Sequence, residues 1–432
     1  MGYVLWIVLL AVEVGFFIGS LWTKKTHKIE KSVTNLGLAV LFLISLTTPI
    51  LTWGFRYYIL AVYIFIKCIF NLITVINKKE GKYSTFKSIR TFILSTLLIS
   101  IFTMPAILFP EFDELTPSGT YEVLSSKYTW IDDSRLDEYQ NNEINRSLTV
   151  EFWYPEDDSK TYPLVIFSHG AFGYSGSNYS TFMHLASSGY VVASIGHTHQ
   201  AFFTKDTFGK LTIVDQGFIS QAIEINAMID TQNEALVFET TQAWMKLRTE
   251  DMNFVLDQII ELTTEAETET LFQIIDITKI GVFGHSLGGA TAAQIGRLRN
   301  DVDAVIVLDG TMLGEEVDFI DGSVVLNEQP YPVPLLNIYA EDHYQNALTH
   351  VGDAYNNFYA TTHAVEAYET VFLDAGHLNF TDLPLFSPIL AGLLGIGSID
   401  ERYCITQMND VVVSFFDYYL KDTEILKIEK EY

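Results

Sequence analysis

An apolar run long enough to cross a bilayer can leave no backbone polar group unpaired in hydrocarbon, so it folds as a helix. This chain has four such runs within its first 110 residues, at about 2–22, 34–52, 57–76 and 90–109, each bounded by polar or charged residues. Crossing ~30 Å of hydrocarbon takes about 20 helical residues. The sequence therefore predicts an all-α bundle of four transmembrane helices over residues 1–110. The first run is not read as a cleavable signal peptide, because no basic residue precedes its core and no small-residue cleavage site opens a soluble stretch after it.

Basic residues set the expected orientation. They cluster after the first run (Lys24, Lys25, Lys28, Lys31) and after the third (Lys78, Lys79, Lys82, Lys87, Arg90), whereas the turn between the second and third has only Arg56. By the positive-inside rule both Lys-rich loops are cytoplasmic, which leaves the N-terminus and everything beyond residue 110 extracytoplasmic. Two charges fall within the spans, Glu13 and Lys67, each about ten residues from the outer side. A lone charge in hydrocarbon is costly, so a Glu13–Lys67 ion pair is expected.

The chain has a positive mean hydropathy of +0.21 and yet a formal charge of -27, two properties that rarely share one surface. They separate along the sequence: residues 1–110 hold eleven Lys or Arg and three acids, leaving 15 bases and 50 acids for the rest. A body this acidic repels phosphate backbones and offers no basic stripe, which argues against nucleic acid as a partner. Cys68 and Cys404 fall one in each part, so neither a disulfide framework nor a cysteine-based metal site is expected.

Beyond a Pro-containing linker (Pro110, Pro117), residues 121–154 alternate like antiparallel edge strands. Short apolar runs then follow at 164–167, 190–195, 280–283, 304–308, 335–339 and 370–373, with helical stretches such as 177–188 and 286–299 between several of them. Apolar strands alternating with helices imply α/β architecture, a mostly parallel sheet covered on both faces, over residues 111–432. Residues 197–238 are long, aromatic and poorly periodic, and precede a helix at about 240–264; they are read as a lid or insertion, with a plain surface excursion as the alternative.

The chemistry lies at strand ends. Gly284-His285-Ser286-Leu287-Gly288-Gly289 follows an apolar strand and opens an Ala-rich helix. This is G-x-S-x-G in its required setting, where small residues allow the sharp turn that projects a serine hydroxyl from the sheet edge. The hydroxyl needs an imidazole base, and the imidazole needs a carboxylate. His377 follows the last apolar strand and is the favoured base; His285 sits inside the turn, and His343, His350 and His363 precede that strand. Two acids qualify by position, Asp309 after the strand beyond the elbow helix and Asp342 after the next one. An oxyanion would take the Leu287 N–H and a second donor from the loop Phe167-Ser-His-Gly-Ala-Phe-Gly173, for which Ala171 is the candidate. His197 and His199 form an H-x-H pair, read as loop hydrogen bonding because no further His or Cys stands at ligand spacing.

From about Gly119 to Lys421 these residues resemble the platelet-activating-factor acetylhydrolase family and its bacterial lipase-like relatives among the α/β hydrolases. The resemblance rests on Gly119-Thr-Tyr with Val150-Glu-Phe-Trp-Tyr-Pro155, Phe167-Ser-His-Gly170 and Ala186-Ser-Ser-Gly-Tyr-Val-Val-Ala193. It continues through Arg248-Thr-Glu-Asp251 with Phe254-Val-Leu-Asp257, the elbow, Val307-Leu-Asp309-Gly, and Gly376-His377-Leu-Asn-Phe-Thr-Asp382. It implies Asp309 rather than Asp342 as the acid, no calcium or other cofactor, and cleavage of short or oxidised acyl chains from phospholipids or of other small esters. The sequence departs from the family in its four leading apolar runs, its Ala171-Phe172 oxyanion loop and its long segment after His197.

The expectation is a membrane-anchored serine carboxylic-ester hydrolase with a Ser286-His377-Asp309 triad, a small or phospholipid-like ester as substrate and the bilayer as partner. Acyl transfer to a lipid or cell-wall acceptor and a non-catalytic membrane scaffold are the alternatives. The sequence carries no signal for an oligomeric state.

Overall fold

The computed structural model describes residues 1–78, 80–140, 143–228 and 234–432. It divides into two units, Met1–Asp113 with Leu385–Gly392, and Glu114–Pro384 with Leu393–Tyr432.

The first unit contains α1 (Gly2–Thr23), α2 (Lys28–Leu46), α3 (Phe55–Asn77) and α4 (Thr85–Leu108), all long and apolar enough to cross a membrane. Large apolar side chains such as Leu41, Phe65 and Ile76 point outward, the inverse of a soluble bundle and suited to lipid. Inside, Phe42, Tyr57, Leu60 and Ile99 form a core, with Tyr63 stacked on Phe102 at 4.8 Å between ring centroids. The second helix starts and ends about six residues earlier than the hydropathy implies, at Lys28 and Leu46. Pro49 explains the end: it disfavours helix at the residue before it and donates no N–H, so the apolar tail Ile50-Leu51-Thr52 falls in a turn.

The expected Glu13–Lys67 pair is not formed. Glu13 is buried and takes a hydrogen bond from Lys31, one turn into α2, whose long stem reaches back to it. The Lys67 Nζ instead lies 5.6 Å from the centre of the Tyr63 ring.

The second unit is built on an eight-stranded sheet of β1 (Val123–Leu136), β2 (Asn145–Pro155), β3 (Tyr162–Ser168), β4 (Val191–Gly196), β5 (Ile275–His285), β6 (Ala304–Leu308), β7 (Leu335–Ala340) and β8 (Ala367–Phe372). The spatial order is β1-β2-β4-β3-β5-β6-β7-β8. The first two strands and the β2–β4 pair are antiparallel, and the remaining neighbours are parallel. Val165, Ile166, Val282, Phe283, Ile306 and Ile338 are all fully buried, as strands covered on both faces require. The covering helices include α5 (Tyr179–Ser187), α7 (Glu234–Thr264), α8 (Leu287–Leu298) and the C-terminal α10 (Glu401–Leu420), and α9 (Glu341–His350) leaves the end of β7. The architecture is the α/β sandwich expected from the alternation of apolar runs.

Register decides where chemistry can gather. Ser168 lies opposite Gly284, Gly284 opposite Val307, His285 opposite Leu308, and Leu308 opposite Ile338. The loops that open with His169, Ser286 and Asp309 therefore leave the sheet at one level, at the carboxyl ends of β3, β5 and β6. That edge is where parallel α/β sheets place their sites.

The segment at 197–238 is more ordered than its sequence suggests. It holds a hairpin, Phe203–Lys205 against Leu211–Ile213, and then helix α6 (Gln216–Met228), while 229–233 lie outside the described residues. The helix that follows, α7, begins at Glu234, ahead of the expected start near 240.

Candidate active site

Ser286 sits between β5 and α8 with φ 56° and ψ −126°, a conformation that L residues avoid. Its N–H donates to the Leu308 carbonyl at 2.9 Å, and its own carbonyl accepts from Ala290 at 3.1 Å, so strand and helix clamp the turn from both sides. The two glycines are required by space. A Cβ on Gly284 would stand 2.1 Å from the Gly288 oxygen, and one on Gly288 would stand 1.9 Å from the Ser168 oxygen. The second contact also shows that the elbow presses directly on the loop after β3.

Asp309, at the end of β6, is buried and has φ 48°. Its Oδ2 accepts from His377 Nδ1 at 2.6 Å, and its Oδ1 accepts from His343 Nδ1 at 3.1 Å and from the Ala340 N–H at 2.8 Å. Burial alone would raise its pKa, but the hydrogen bonds from His343 and His377 outweigh burial and hold it well below the usual carboxylate range. It is therefore an anion that holds the N–H of His377 at Nδ1 and leaves Nε2 as the ring atom able to take a proton. Asp342, the other candidate acid, lies in the first turn of α9 and accepts the His343 backbone N–H at 2.7 Å.

His377 opens a short 3₁₀ turn after β8, and its imidazole is partly exposed. Asn379 holds that turn by accepting the Gly376 and Gly397 N–H groups at 2.9 and 2.8 Å. His285, the variable residue of the elbow, donates Nε2–H to the His377 carbonyl at 2.9 Å, and the two rings lie 4.6 Å apart. Burial, reinforced by the nearby His377, pushes the His285 pKa down to about 3, so it is a neutral prop for the histidine loop. Among the described residues the Ser286 hydroxyl and His377 Nε2 have no hydrogen-bond partner; such contacts are often open until substrate binds.

The two expected oxyanion donors are also free. Among the described residues neither the Leu287 N–H, at the first position of α8, nor the Ala171 N–H has an acceptor. The neighbours of Ala171 are committed, since Phe172 N–H donates to Gln200 O at 3.2 Å and Gly173 N–H to Gly170 O at 3.0 Å. Phe172 has φ 60°, a strained value for a bulky residue.

That strained loop is braced by a buried network that sequence reasoning did not assemble. The Arg248 guanidinium, fully buried on α7, donates to the His169 carbonyl, to the Gly170 carbonyl at 3.5 Å and to Gln200 Oε1 at 2.7 Å. One turn along, Asp251 binds Arg146 through both oxygens at 3.0 and 2.7 Å and accepts from His197 Nδ1 at 3.0 Å, while His197 Nε2 meets Ser168 Oγ at 2.8 Å. Burial, with the charge of Arg248, lowers the His197 pKa to about 4, so the ring is neutral and accepts the Ser168 O–H. The Ser168-His197-Asp251 row copies the chemistry of a triad but is wholly buried, out of reach of any substrate. The signal for it was Arg248-Thr-Glu-Asp251, spaced to share one helix face but silent about what that face touches.

His199, the second residue of the H-x-H pair, bonds Asp137 Oδ2 at 3.4 Å and Gln140 at 3.3 Å, away from His197's partners. The residues that could hold a metal are instead Asp309, His343 and His377, whose donor atoms lie within 4.8 Å of one another. Those atoms are already joined as an acid between two imidazoles, and His343 was not among the candidates the sequence favoured.

Residues 140–430 match the family described as "Platelet-activating factor acetylhydrolase, isoform II". Curated relatives include the platelet-activating factor acetylhydrolase of Cavia porcellus, 24% identical over 273 residues, covering 62% of this chain and 59% of the relative. The Canis lupus familiaris protein of the same name is 28% identical over 167 residues, 37% of each chain. The Bos taurus protein is 28% identical over 184 residues, covering 41% of this chain and 40% of the relative. The chain thus spans well under two thirds of the length of the relatives it matches. Among solved structures, a ferulic acid esterase from Streptomyces cinnamoneus superposes with a TM-score of 0.54 at 21% identity, covering 73% of this chain and 95% of that one, a likeness of fold. With the family matched over more than half of its residues, the chain belongs to the platelet-activating factor acetylhydrolase, isoform II, family and carries an α/β-hydrolase fold.

Proposed function

We propose that this protein is a serine hydrolase of carboxylic esters, acting on short-chain or lipid-like acyl esters, with Ser286, His377 and Asp309 as its triad. The observation that carries the proposal is the 2.6 Å bond from His377 Nδ1 to the buried Asp309 carboxylate, beside a serine held in strained elbow geometry. The Ser286 oxygen attacks the acyl carbonyl as its proton passes to His377 Nε2, while the charge on Asp309 stabilises the imidazolium that forms. The carbonyl oxygen becomes an oxyanion that accepts hydrogen bonds from the Leu287 and Ala171 N–H groups. Collapse of this intermediate returns the proton to the leaving alcohol and leaves an acyl-serine. Water then repeats the sequence, losing its proton to His377 and releasing the acid.

Membership in a family named for an acetylhydrolase supports an acyl ester of lipid type, and an esterase neighbour in fold supports the reaction class. The four apolar helices support a membrane-anchored enzyme, and the basic loops favour an extracytoplasmic catalytic body. The test is turnover by the full-length protein in detergent of a panel running from p-nitrophenyl acetate to phospholipids with short and long acyl chains. Hydrolysis of the short esters by wild type, abolished in Ser286→Ala, is the expected result. Equal rates in the two proteins, or no hydrolysis across the panel, would refute the proposal.

A further inference from the structure

We propose that the helices α1–α3 form a binding site for a single-chain anionic amphiphile, a long-chain fatty acid, with its carboxylate at Lys67. Three polar residues of α3, Tyr63, Lys67 and Asn71, stand four apart and so share one stripe about 12 Å long. All three line a cavity of about 150 Å³ whose other walls include Val8, Leu38 and Phe42. Tyr63 is only 9% exposed, and among the described residues neither its hydroxyl nor the buried Asn71 Nδ2 has a hydrogen-bond partner. The Lys67 ammonium has no carboxylate within salt-bridge distance among the described residues, because Glu13, on the same cavity wall, is bonded to Lys31. The face thus presents three donors, and the Lys31–Glu13–Lys67 cluster holds two lysines and one acid, a formal charge of +1.

This chemistry selects its ligand. An acceptor-only anion takes hydrogen bonds from donors of all three kinds and cancels the excess formal charge, which hydrocarbon otherwise penalises heavily. The apolar walls and the small volume suit one alkyl chain rather than the two of a diacyl lipid. The chain would continue between α1 and α2, where Val4, Val8 and Leu41 are exposed on the lipid side. The site is independent of the hydrolytic reading, since none of its residues belongs to the α/β unit.

The test uses full-length protein in phosphatidylcholine nanodiscs and a photoreactive, diazirine-bearing long-chain fatty acid, with labelling mapped to α1–α3. Oleate should compete at least about tenfold better than oleyl alcohol, because only the anion answers Lys67. That preference should vanish in Lys67→Gln, persist in Lys67→Arg, and fall about threefold or more in Tyr63→Phe and Asn71→Ala. Equal competition by oleate and oleyl alcohol in wild type overturns the proposal, as does an undiminished preference in Lys67→Gln. Should Lys67→Gln fail to fold, unchanged preference in both Tyr63→Phe and Asn71→Ala overturns it instead.

Discussion

Two imidazoles share one carboxylate at Asp309, and the unequal bonds they make distinguish their roles. His377 Nδ1 binds Oδ2 at 2.6 Å, while His343 Nδ1 binds Oδ1 at 3.1 Å and turns its Nε2 to the Tyr355 hydroxyl at 3.2 Å. Burial lowers the His343 pKa, but the bond and charge of Asp309 raise it further, so the net shift is upward. Asp309→Asn should cost about 10⁴-fold in kcat, because the amide no longer selects the reactive tautomer of His377. Asp342→Asn, whose carboxylate is occupied with a backbone N–H, should leave kcat within about threefold, and His343→Gln within about tenfold. Steady-state kinetics on one soluble ester checks all three; a large loss in Asp342→Asn with little in Asp309→Asn would reassign the acid. Spacing along the chain offered Ser286 and His377 as the proposed nucleophile and base, since an elbow and a loop after the last strand are local patterns. It could not choose between Asp309 and Asp342, because both follow parallel strands on the same sheet edge, and only the folded chain brings His377 Nδ1 to one of them, Asp309.

At the scale of elements, the loop after β3 depends on α7. Arg248 takes the His169 and Gly170 carbonyls, and the following amide, that of Ala171, has no acceptor among the described residues. Arg248→Lys keeps the charge but loses the planar fork that spans several acceptors. It should lower kcat about tenfold to a hundredfold, the scale of a displaced oxyanion donor, with KM changed about twofold at most. A rise in KM alone would show that Arg248 serves binding and not the oxyanion loop. The strands were legible because runs such as 304–308 are apolar throughout, and periodicity is a local property. The ordered hairpin and α6 within 197–238 were not, because their exposed Phe208, Leu211, Ile213 and Ile223 blur the polar-outside pattern that marks amphipathic elements. The buried network of Arg146, Asp251 and His197 was hidden for a different reason: its members lie up to 105 residues apart and meet only through the fold.

For the molecule as a whole, buried neutral histidines make stability depend on pH. The pKa values of His197 and His285 fall from 6.5 to about 4 and about 3, both driven first by burial. Between those values and 6.5 the unfolded chain binds protons that the folded one does not, so stability falls as the pH drops through this window. Asp382 works the other way: burial raises its pKa from 3.8 to about 6, so it stabilises the fold as pH falls through 6. Taking the three groups together, acidification from pH 6.5 to 4 should cost on the order of 4 kcal/mol. Thermal unfolding of the full-length protein in detergent should show a lower Tm at pH 4.5 than at pH 7, and an unchanged or higher Tm would contradict the burial of these rings. The division into an apolar basic part and an acidic part was readable from composition alone. How Glu13 is neutralised was not, because depth along a helix does not reveal which of two lysines has the reach.

The most direct measurement is the site and stoichiometry of labelling by a fluorophosphonate, which reacts with a serine only where an imidazole and oxyanion donors activate it. Peptide mass spectrometry should find one phosphonyl group per chain, on Ser286, with labelling lost in Ser286→Ala and in His377→Ala. An unlabelled protein, or label on any other serine at comparable rate, would contradict the account.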